Sequence, residues 1–304
     1  MEQNISENHK SGFVNIIGLP NVGKSSLLNA LLGDKMVIVS HKPQTTRHRI
    51  FGIMNTDEYQ VVFSDTPGII REESYKMQKA MNDAAFSVFE DSDILLVVVD
   101  LSNPEFPQEV VDNKLANIKI PVILVLNKMD LVTEEAYQKE VEEYKKLHNW
   151  THIVGTSALK QSGTDELKEF IVNNLQPGPA YYPKDQLSNR PERFFISELI
   201  RENIFTLYHQ EIPYSTEVAV TDFKESEKHG EPFVHIYATI FCMRRSQKGI
   251  LLGKNGSAIK QLGIESRKSI EEYLGKRIYL ELHIKIKEKW RDNDSLLKSF
   301  GYLQ

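Results

Sequence analysis

The sequence predicts two domains of different class: an α/β domain on a doubly wound, mostly parallel sheet, then a smaller α+β domain. Three observations predict this. Val- and Ile-rich runs alternate with helix-length stretches through the first half, a proline-rich break follows, and the order of elements then changes. In the first half, residues 13–17, 61–63, 94–99, 122–126 and 152–154 read as strands, and 24–32, 76–89, 133–148 and 163–175 as helices. Near-continuous apolar strands, each leading into a helix, are covered on both faces, as in a parallel sheet. Four of the twelve prolines (Pro177, Pro179, Pro183, Pro191) then crowd into residues 176–191 without an apolar period, so this stretch is expected to be a linker. Beyond it, 192–209 reads as a helix, 216–223 and 233–243 as strands, two helical stretches flank Gly263, and 277–287 alternates as a last strand. The expected boundaries are a disordered tail at 1–11, a first domain at 12–175, the linker at 176–191 and a second domain at 192–304.

With 40% hydrophobic residues in 304, the chain can bury two cores, and disorder is not its default. Its 37 basic and 42 acidic side chains give a net charge of -5, which by itself offers no reason to expect a nucleic acid. The charge is unevenly spread: residues 1–180 carry 17 basic and 25 acidic groups, residues 181–304 carry 20 and 17, and residues 244–291 alone carry 13 and 5. The basic surface therefore belongs to the second domain. A single cysteine, Cys242, excludes an intramolecular disulfide and a cysteine metal cluster and fits a reducing compartment. The longest aliphatic run, at 94–99, falls far short of the ~20 residues that span a bilayer, and residues 1–11 lack the pattern of a signal or transit peptide. The expected location is cytoplasmic.

The strongest motif is Gly18-Leu19-Pro20-Asn21-Val22-Gly23-Lys24-Ser25, directly after a strand and opening a helix. Glycines let the backbone wrap so that successive N–H groups, Val22 and Gly23 among them, point at phosphate oxygens, and the helix N-terminus adds its positive end. Lys24 would bridge the β- and γ-phosphates, Ser25 would offer its hydroxyl to Mg²⁺, and Ser26 extends the same turn. Three later segments select the base. Asp65-Thr66-Pro67-Gly68 follows a strand, so that Asp65 can hold Mg²⁺ through water and the Gly68 amide can meet the γ-phosphate. In Asn127-Lys128-Met129-Asp130 the carboxylate can accept from the N1–H and 2-amino group of guanine, donors that adenine lacks. Ser157-Ala158 can supply the Ala158 amide to the guanine O6. Each alone is weak, since an Asp after a strand often caps a helix. All four in order, at strand C-terminal ends, point to a guanine nucleotide.

Between the first two motifs, residues 41–48 form a polar stretch in which a threonine can reach Mg²⁺ when a γ-phosphate is present, making the segment a switch. Thr45 and Thr46 compete, with Thr46 favoured; His41 and His48 are taken as surface residues. The residue after Gly68 is Ile69, which cannot orient water as a glutamine would. Asn21 is a candidate to hold K⁺ beside the phosphates, or it only braces the loop. Slow intrinsic hydrolysis is expected, with Lys24, Asn21, Thr46 and Gly68 as the catalytic set.

In the second domain, Gly253-Lys254-Asn255-Gly256 sits between helical segments. Glycines permit close approach to a sugar-phosphate backbone, Lys254 and Lys260 supply charge, and Ile250, Leu252 and Ile259 would line an apolar platform for unstacked bases. With the helix-strand-strand-helix-helix-strand order and the basic segment, this reads as a KH-type RNA-binding module. Trp290 is either a base-stacking or a packing residue. Lys285, Lys287, Lys289, Arg244 and Arg245 either contact phosphate or line a wet face.

Together with residues 43–48, Arg193-Phe194, residues 198–202, residues 211–215, residues 263–267 and Gly301-Tyr302, these motifs resemble the Era family of bacterial ribosome-assembly GTPases over nearly the whole chain. The resemblance implies a type II KH domain, binding to the 3′ region of small-subunit ribosomal RNA, a role in maturing the small ribosomal subunit, and nucleotide-dependent movement between domains. It also brings peripheral contact with the inner membrane, which no segment here requires. Ser26 stands where the family usually has threonine, and His41 where it commonly has a basic residue. Against a GTP-hydrolysing switch stand a P-loop metabolic kinase, disfavoured by the guanine-reading motifs, and an RNA chaperone whose nucleotide site is mainly structural.

Overall fold

The structure, a computed structural model, describes residues 9–106, 114–228 and 230–303. The chain divides into two compact units, Met1–Ser74 with Gln78–Asn189, and Tyr75–Met77 with Arg190–Gln304. The tail expected at 1–11 falls outside the described residues as far as residue 8. Lys10 and Ser11 belong instead to the first strand, where they pair with Tyr59 and Gln60.

The first fold runs β1 (Lys10–Ile17), α1 (Lys24–Leu32), β2 (Ile50–Asn55), β3 (Tyr59–Asp65), α2 (Lys76–Phe86), α3 (Val88–Asp91), β4 (Ile94–Asp100), β5 (Val122–Asn127), α4 (Glu134–Lys145), β6 (His152–Thr156), α5 (Thr164–Asn174) and β7 (Gln176–Pro177). The sheet order is β2-β3-β1-β4-β5-β6, with β7 antiparallel on the start of β1. Strands β3, β1, β4, β5 and β6 are mutually parallel, while β2 opposes β3 as β7 opposes β1. Every residue of 94–99 is buried, as cover on both faces requires. Because the strands are parallel, the loops after β1, β3, β5 and β6 leave from one edge, and Asp100, Asn127 and Thr156 lie side by side there.

Two local expectations change. Strand β2 was not anticipated, because Gly52 interrupts the Val and Ile density that marked its neighbours. The helix expected at 76–89 is two pieces, with Ser87 between them donating its hydroxyl to the Ala84 carbonyl at 2.9 Å.

The stretch expected as a linker is laid on the first unit as far as Asn189. Fully buried Gln60 donates to the Tyr182 carbonyl and accepts from the Tyr181 and Tyr182 amides at 2.8, 2.7 and 3.0 Å. The exposed side of β2 is taken up in turn. Ile53 N–H donates to the Leu187 carbonyl, Phe51 N–H to Asn189 Oδ1, and the Ser188 hydroxyl to the Phe51 carbonyl. Prolines keep this strip out of regular structure, and side chains supply the partners that a ladder would have given.

The second fold runs α6 (Glu192–Leu207), α7 (Ile212–Ser215), β8 (Glu217–Lys228), β9 (Glu231–Cys242), α8 (Arg245–Leu252), α9 (Ser257–Leu274), β10 (Arg277–Ile286) and α10 (Asp294–Ser299). Its sheet order is β10-β9-β8, parallel between β10 and β9 and antiparallel between β9 and β8. One buried cluster joins Ile196, Ile200 and Ile204 of α6 to Val234, Ile236 and Ile240 of β9 and to Leu262 and Ile270 of α9. Gly263 breaks nothing: it lies inside the unbroken α9, and the two helices flank residues 253–256 instead. A single glycine costs a helix only about 1 kcal/mol, which the flanking buried Leu262 and Ser266 turns offset. Trp290 is a packing residue, fully buried, with its indole N–H donating to the Ser215 carbonyl at 3.0 Å. Among the described residues no helix is long and apolar enough to cross a membrane.

Trp290→Ala should therefore destabilise the second unit by about 3–5 kcal/mol, from the cavity and the lost hydrogen bond, as measured by urea unfolding.

Candidate nucleotide site and RNA interface

A cavity of about 570 Å³ opens at the C-terminal edge of the parallel strands. Asn21, Gly23, Lys24, Ser25 and Ser26 line it from the first loop, Thr46 from the switch segment and Gly68 from the loop after β3. Asn127, Lys128, Asp130, Ser157 and Ala158 line its other end. Gly18, Val22 and Asp65 are not among the residues that line it.

Lys24 is almost wholly buried, and its ammonium donates to the carbonyls of Gly18 at 3.1 Å and Leu19 at 2.9 Å. Burial lowers its pKa from 10.5 to about 8, against the opposing pull of the Asp65 charge. Fully buried Asp65 is pushed the other way: desolvation raises it, while hydrogen bonds from Ser25 and Thr46 and the Lys24 charge favour the carboxylate. Ser25 Oγ donates to Asp65 Oδ2 at 2.6 Å, Thr46 Oγ1 donates to the same oxygen at 3.1 Å, and the two hydroxyls are 2.8 Å apart. Thr45 turns away and donates to the Lys42 carbonyl at 2.7 Å. Asp65 Oδ1 is buried with no hydrogen-bond partner. A hard cation is the group that such a trio of oxygens beside an orphaned carboxylate oxygen fits. Among the described residues no cluster of three or more His, Cys, Asp or Glu exists, so a cation here needs hydroxyls and phosphate oxygens.

Asn127 ties the base end to the phosphate end. Its Nδ2 donates to the Val22 carbonyl at 2.9 Å, and its Oδ1 accepts from Thr156 Oγ1 and the Ala158 amide, both at 3.1 Å. Gly23 is required at that crossing, because its φ is 95° and a Cβ would run into the Asn127 side-chain nitrogen. The Ala158 amide expected at guanine O6 is engaged by Asn127 here. A hydrogen bond from the Ser157 side chain holds the Asp130 carboxyl below its usual range, with Lys160 adding to the effect. Asp130 is thus kept as an acceptor-only carboxylate, the form that reads two donors on one edge of a base.

Sequence reasoning missed three contributors. Leu131 and Leu159 are 62% and 86% exposed on the cavity rim, where they offer apolar flanks for a planar base. Asp100 pairs with Lys128 and fixes its stem. The only sequence signals were an aliphatic residue in each polar loop and an Asp at a strand end. His48, taken as a surface residue, is buried, whereas His41 is exposed; the chain re-enters the sheet at Ile50 and carries residues 47–48 inward with it. Ile69 is buried, its N–H donating to the Gly18 carbonyl at 3.2 Å. Asn21 is exposed with φ 65°.

In the second unit, Lys254, Asn255 and Lys260 are exposed, and Ile250 is 48% exposed. Gly253 (φ 70°) has no room for a side chain: a Cβ would lie 2.6 Å from that of Ala258. Gly256 (φ 77°) opens α9, whose first N–H groups face the same turn. The apolar platform is narrower than expected, since Leu252 and Ile259 pack against the core and leave Ile250 outward. Arg244, Arg245, Lys285, Lys287 and Lys289 are exposed.

Comparison with known proteins agrees with both halves. The family described as 50S ribosome-binding GTPase matches residues 13–128, and the KH domain family matches residues 211–291. GTPase Era of Geotalea uraniireducens is 46% identical over 294 residues, covering 96% of this chain and 98% of that protein. The chain belongs to the Era family of GTPases. Chloroplastic GTPase ERA1 of Zea mays is 45% identical over 97% of this chain and 71% of that protein. Among solved structures, Era bound to MgGDPNP and nucleotides 1506–1542 of 16S ribosomal RNA superposes with a TM-score of 0.92 at 34% identity, covering 97% of this chain and all of that one. A variant of Aquifex aeolicus Era bound to GDP and tetrafluoroaluminate gives the same TM-score, identity and coverage.

The Lys24 shift has a sign that can be tested in nucleotide-free protein. Between pH 8 and 10.5 the unfolded lysine is protonated and the folded one is not, so stability should rise with pH across that window. The gain is about 3 kcal/mol, and Lys24→Met should remove it from the difference between the two unfolding curves.

Proposed function

We propose that the protein is a GTP-hydrolysing switch that binds the 3′ region of small-subunit ribosomal RNA and assists maturation of the small ribosomal subunit. The observation that carries this is the likeness, over 97% of the chain, to Era holding both MgGDPNP and that RNA. GTP and GDP are the ligands of the cavity, and Mg²⁺ is the cation that Ser25, Thr46 and, through water, Asp65 would hold. When bound, Mg²⁺ neutralises charge on the β- and γ-phosphates.

The chain's own residues do the rest. Lys24 gives up two carbonyl partners for phosphate oxygens, and the first-loop amides and the Gly68 amide surround the phosphates. Asp130 selects guanine between Leu131 and Leu159. Thr46 reaches the cation only with a γ-phosphate in place, which orders the switch, and hydrolysis releases it. Ile69 cannot position water, so slow turnover follows; Asn21 would supply an oxygen to K⁺ beside the phosphates. RNA meets the Gly253, Lys254, Asn255 and Gly256 loop, with Ile250 and Lys260 beside it. The cytoplasm, where ribosomes assemble, is the proposed setting. No membrane role is proposed.

Purified protein given GTP should release phosphate slowly, and at a different rate with the RNA added. No release in either case would contradict the switch and leave an RNA chaperone with a structural nucleotide site. Replacing K⁺ by Na⁺ should slow release about tenfold or more if Asn21 holds K⁺, and matched rates would remove that role. Lys24→Ala should abolish nucleotide binding while the KH unit still binds RNA. Gly253→Asp should do the converse, and unchanged RNA affinity in that variant would refute the placement of the RNA site.

A further inference from the structure

We propose that Arg49 is the positioning residue of the switch, fixing the point from which the chain departs towards Thr46. This rests on the reading of the cavity as a site for GTP and Mg²⁺. The β2–β3 ladder begins at the pair Ile50 and Asp65, so Arg49 is the first residue outside the sheet on the side towards Thr46. Thr46 lies three residues further on, within about 10 Å of chain, and must place its hydroxyl against Ser25 and Asp65. Any freedom at Arg49 would be passed directly to Thr46.

The guanidinium removes that freedom. Nε donates to Ser64 Oγ at 2.8 Å; Nη1 to Ser87 Oγ at 3.1 Å and Asp91 Oδ2 at 2.9 Å; Nη2 to Asn15 Oδ1 at 3.0 Å and Asp91 Oδ1 at 2.8 Å. These contacts engage all three guanidinium nitrogens, in the planar fork that only arginine presents. Its face lies 5.0 Å from the centroid of Phe51. The partners matter as much as their number. Asn15 is fully buried in β1, three residues before Gly18, and donates on its own account to Asp91 Oδ1 and Ser92 Oγ, both at 2.8 Å. Ser64 is fully buried and immediately precedes Asp65. Arg49 thus joins the strand that delivers the phosphate loop, the strand that delivers Asp65 and the chain that delivers Thr46. The Arg49 side chain is 14% exposed against 43% for Asp91, so the arginine's partners are chiefly the buried Asn15 and Ser64, and the ratio of analogue to GDP affinity separates a positioning role from a purely structural one.

The test compares wild-type full-length protein with Arg49→Lys and Asp91→Asn, measuring affinity for GDP and for a non-hydrolysable GTP analogue with Mg²⁺, the kcat and KM of hydrolysis, and Tm. On the proposed reading Thr46 holds the cation only with a γ-phosphate present, whereas its bonds to Ser25 and Asp65 need no nucleotide. Arg49→Lys should therefore keep GDP affinity within about twofold and lose about five- to tenfold in analogue affinity and in kcat. Asp91→Asn, which keeps one acceptor for the fork, should move both in the same sense by less. An equal fall for GDP and analogue, or an unchanged ratio of the two with a lowered Tm, would overturn the proposal and leave Arg49 a structural residue. A wild-type protein that binds neither nucleotide would overturn this and the reading of the cavity together.

Discussion

A buried ammonium sets the terms for the nucleotide end of this molecule. Lys24 is held out of water by the turn that contains it, with two backbone carbonyls for partners and Asp65 as the nearby buried charge. Two backbone acceptors do not replace the hydration of a full charge, and the depression of its pKa to about 8 measures the shortfall. Asp65 is displaced in the complementary direction, with one oxygen satisfied by two hydroxyls and the other by nothing. Opposed shifts in neighbouring buried groups mark a place prepared for a ligand more than a device for stability. A polyphosphate with its cation would satisfy both at once.

The rest of the first unit keeps that arrangement in place before any ligand arrives. Parallel strands bring four loops to one edge, and Asn127 bonds three of them to one another, so the groups proposed to meet phosphate and those proposed to meet the base are a single connected structure. On the proposed reading, preorganisation of this kind lets backbone amides, one lysine and Mg²⁺ meet a highly charged ligand in a domain whose own net charge is negative. The second unit carries its positive charge in a different way, as exposed lysines and arginines around a glycine turn that has no room for a side chain. The proposed sites thus differ in kind: a recess in one unit and an exposed surface in the other.

Much of this was legible in the residues. The phosphate loop, Asp65, Asn127 and Asp130 declare themselves because their chemistry is local: each sits at a fixed offset from a strand of Val and Ile. The KH loop was readable for the same reason. What escaped depends on tertiary contact. Strand β2 has too little apolar density to be seen alone and exists because β3 pairs with it. The proline-rich stretch looked like a free tether, yet Gln60, a polar residue in a buried strand, holds it down with three hydrogen bonds. Leu131 and Leu159 are exposed leucines with no pattern around them, while Trp290, on sequence more often a packing than a base-stacking residue, is buried with its indole N–H donating to the Ser215 carbonyl. Sequence favoured Thr46 over Thr45 without separating them, and the fold does so through the direction each hydroxyl takes.

The proposed switch segment runs into strand β2 at Ile50, and the strip that ends at Asn189 lies along the free side of the same strand. In the proposed switch, the γ-phosphate sensed at Thr46 controls what the KH loop can hold. Fluorescence anisotropy should read this out as the affinity of the full-length protein for an oligonucleotide of the 3′ end of small-subunit ribosomal RNA in its nucleotide-free, GDP and GTP-analogue states. The GTP-analogue state should bind about tenfold or more tightly than the GDP state, a coupling of the size typical of two linked sites. Equal affinity in all three states would contradict the switch.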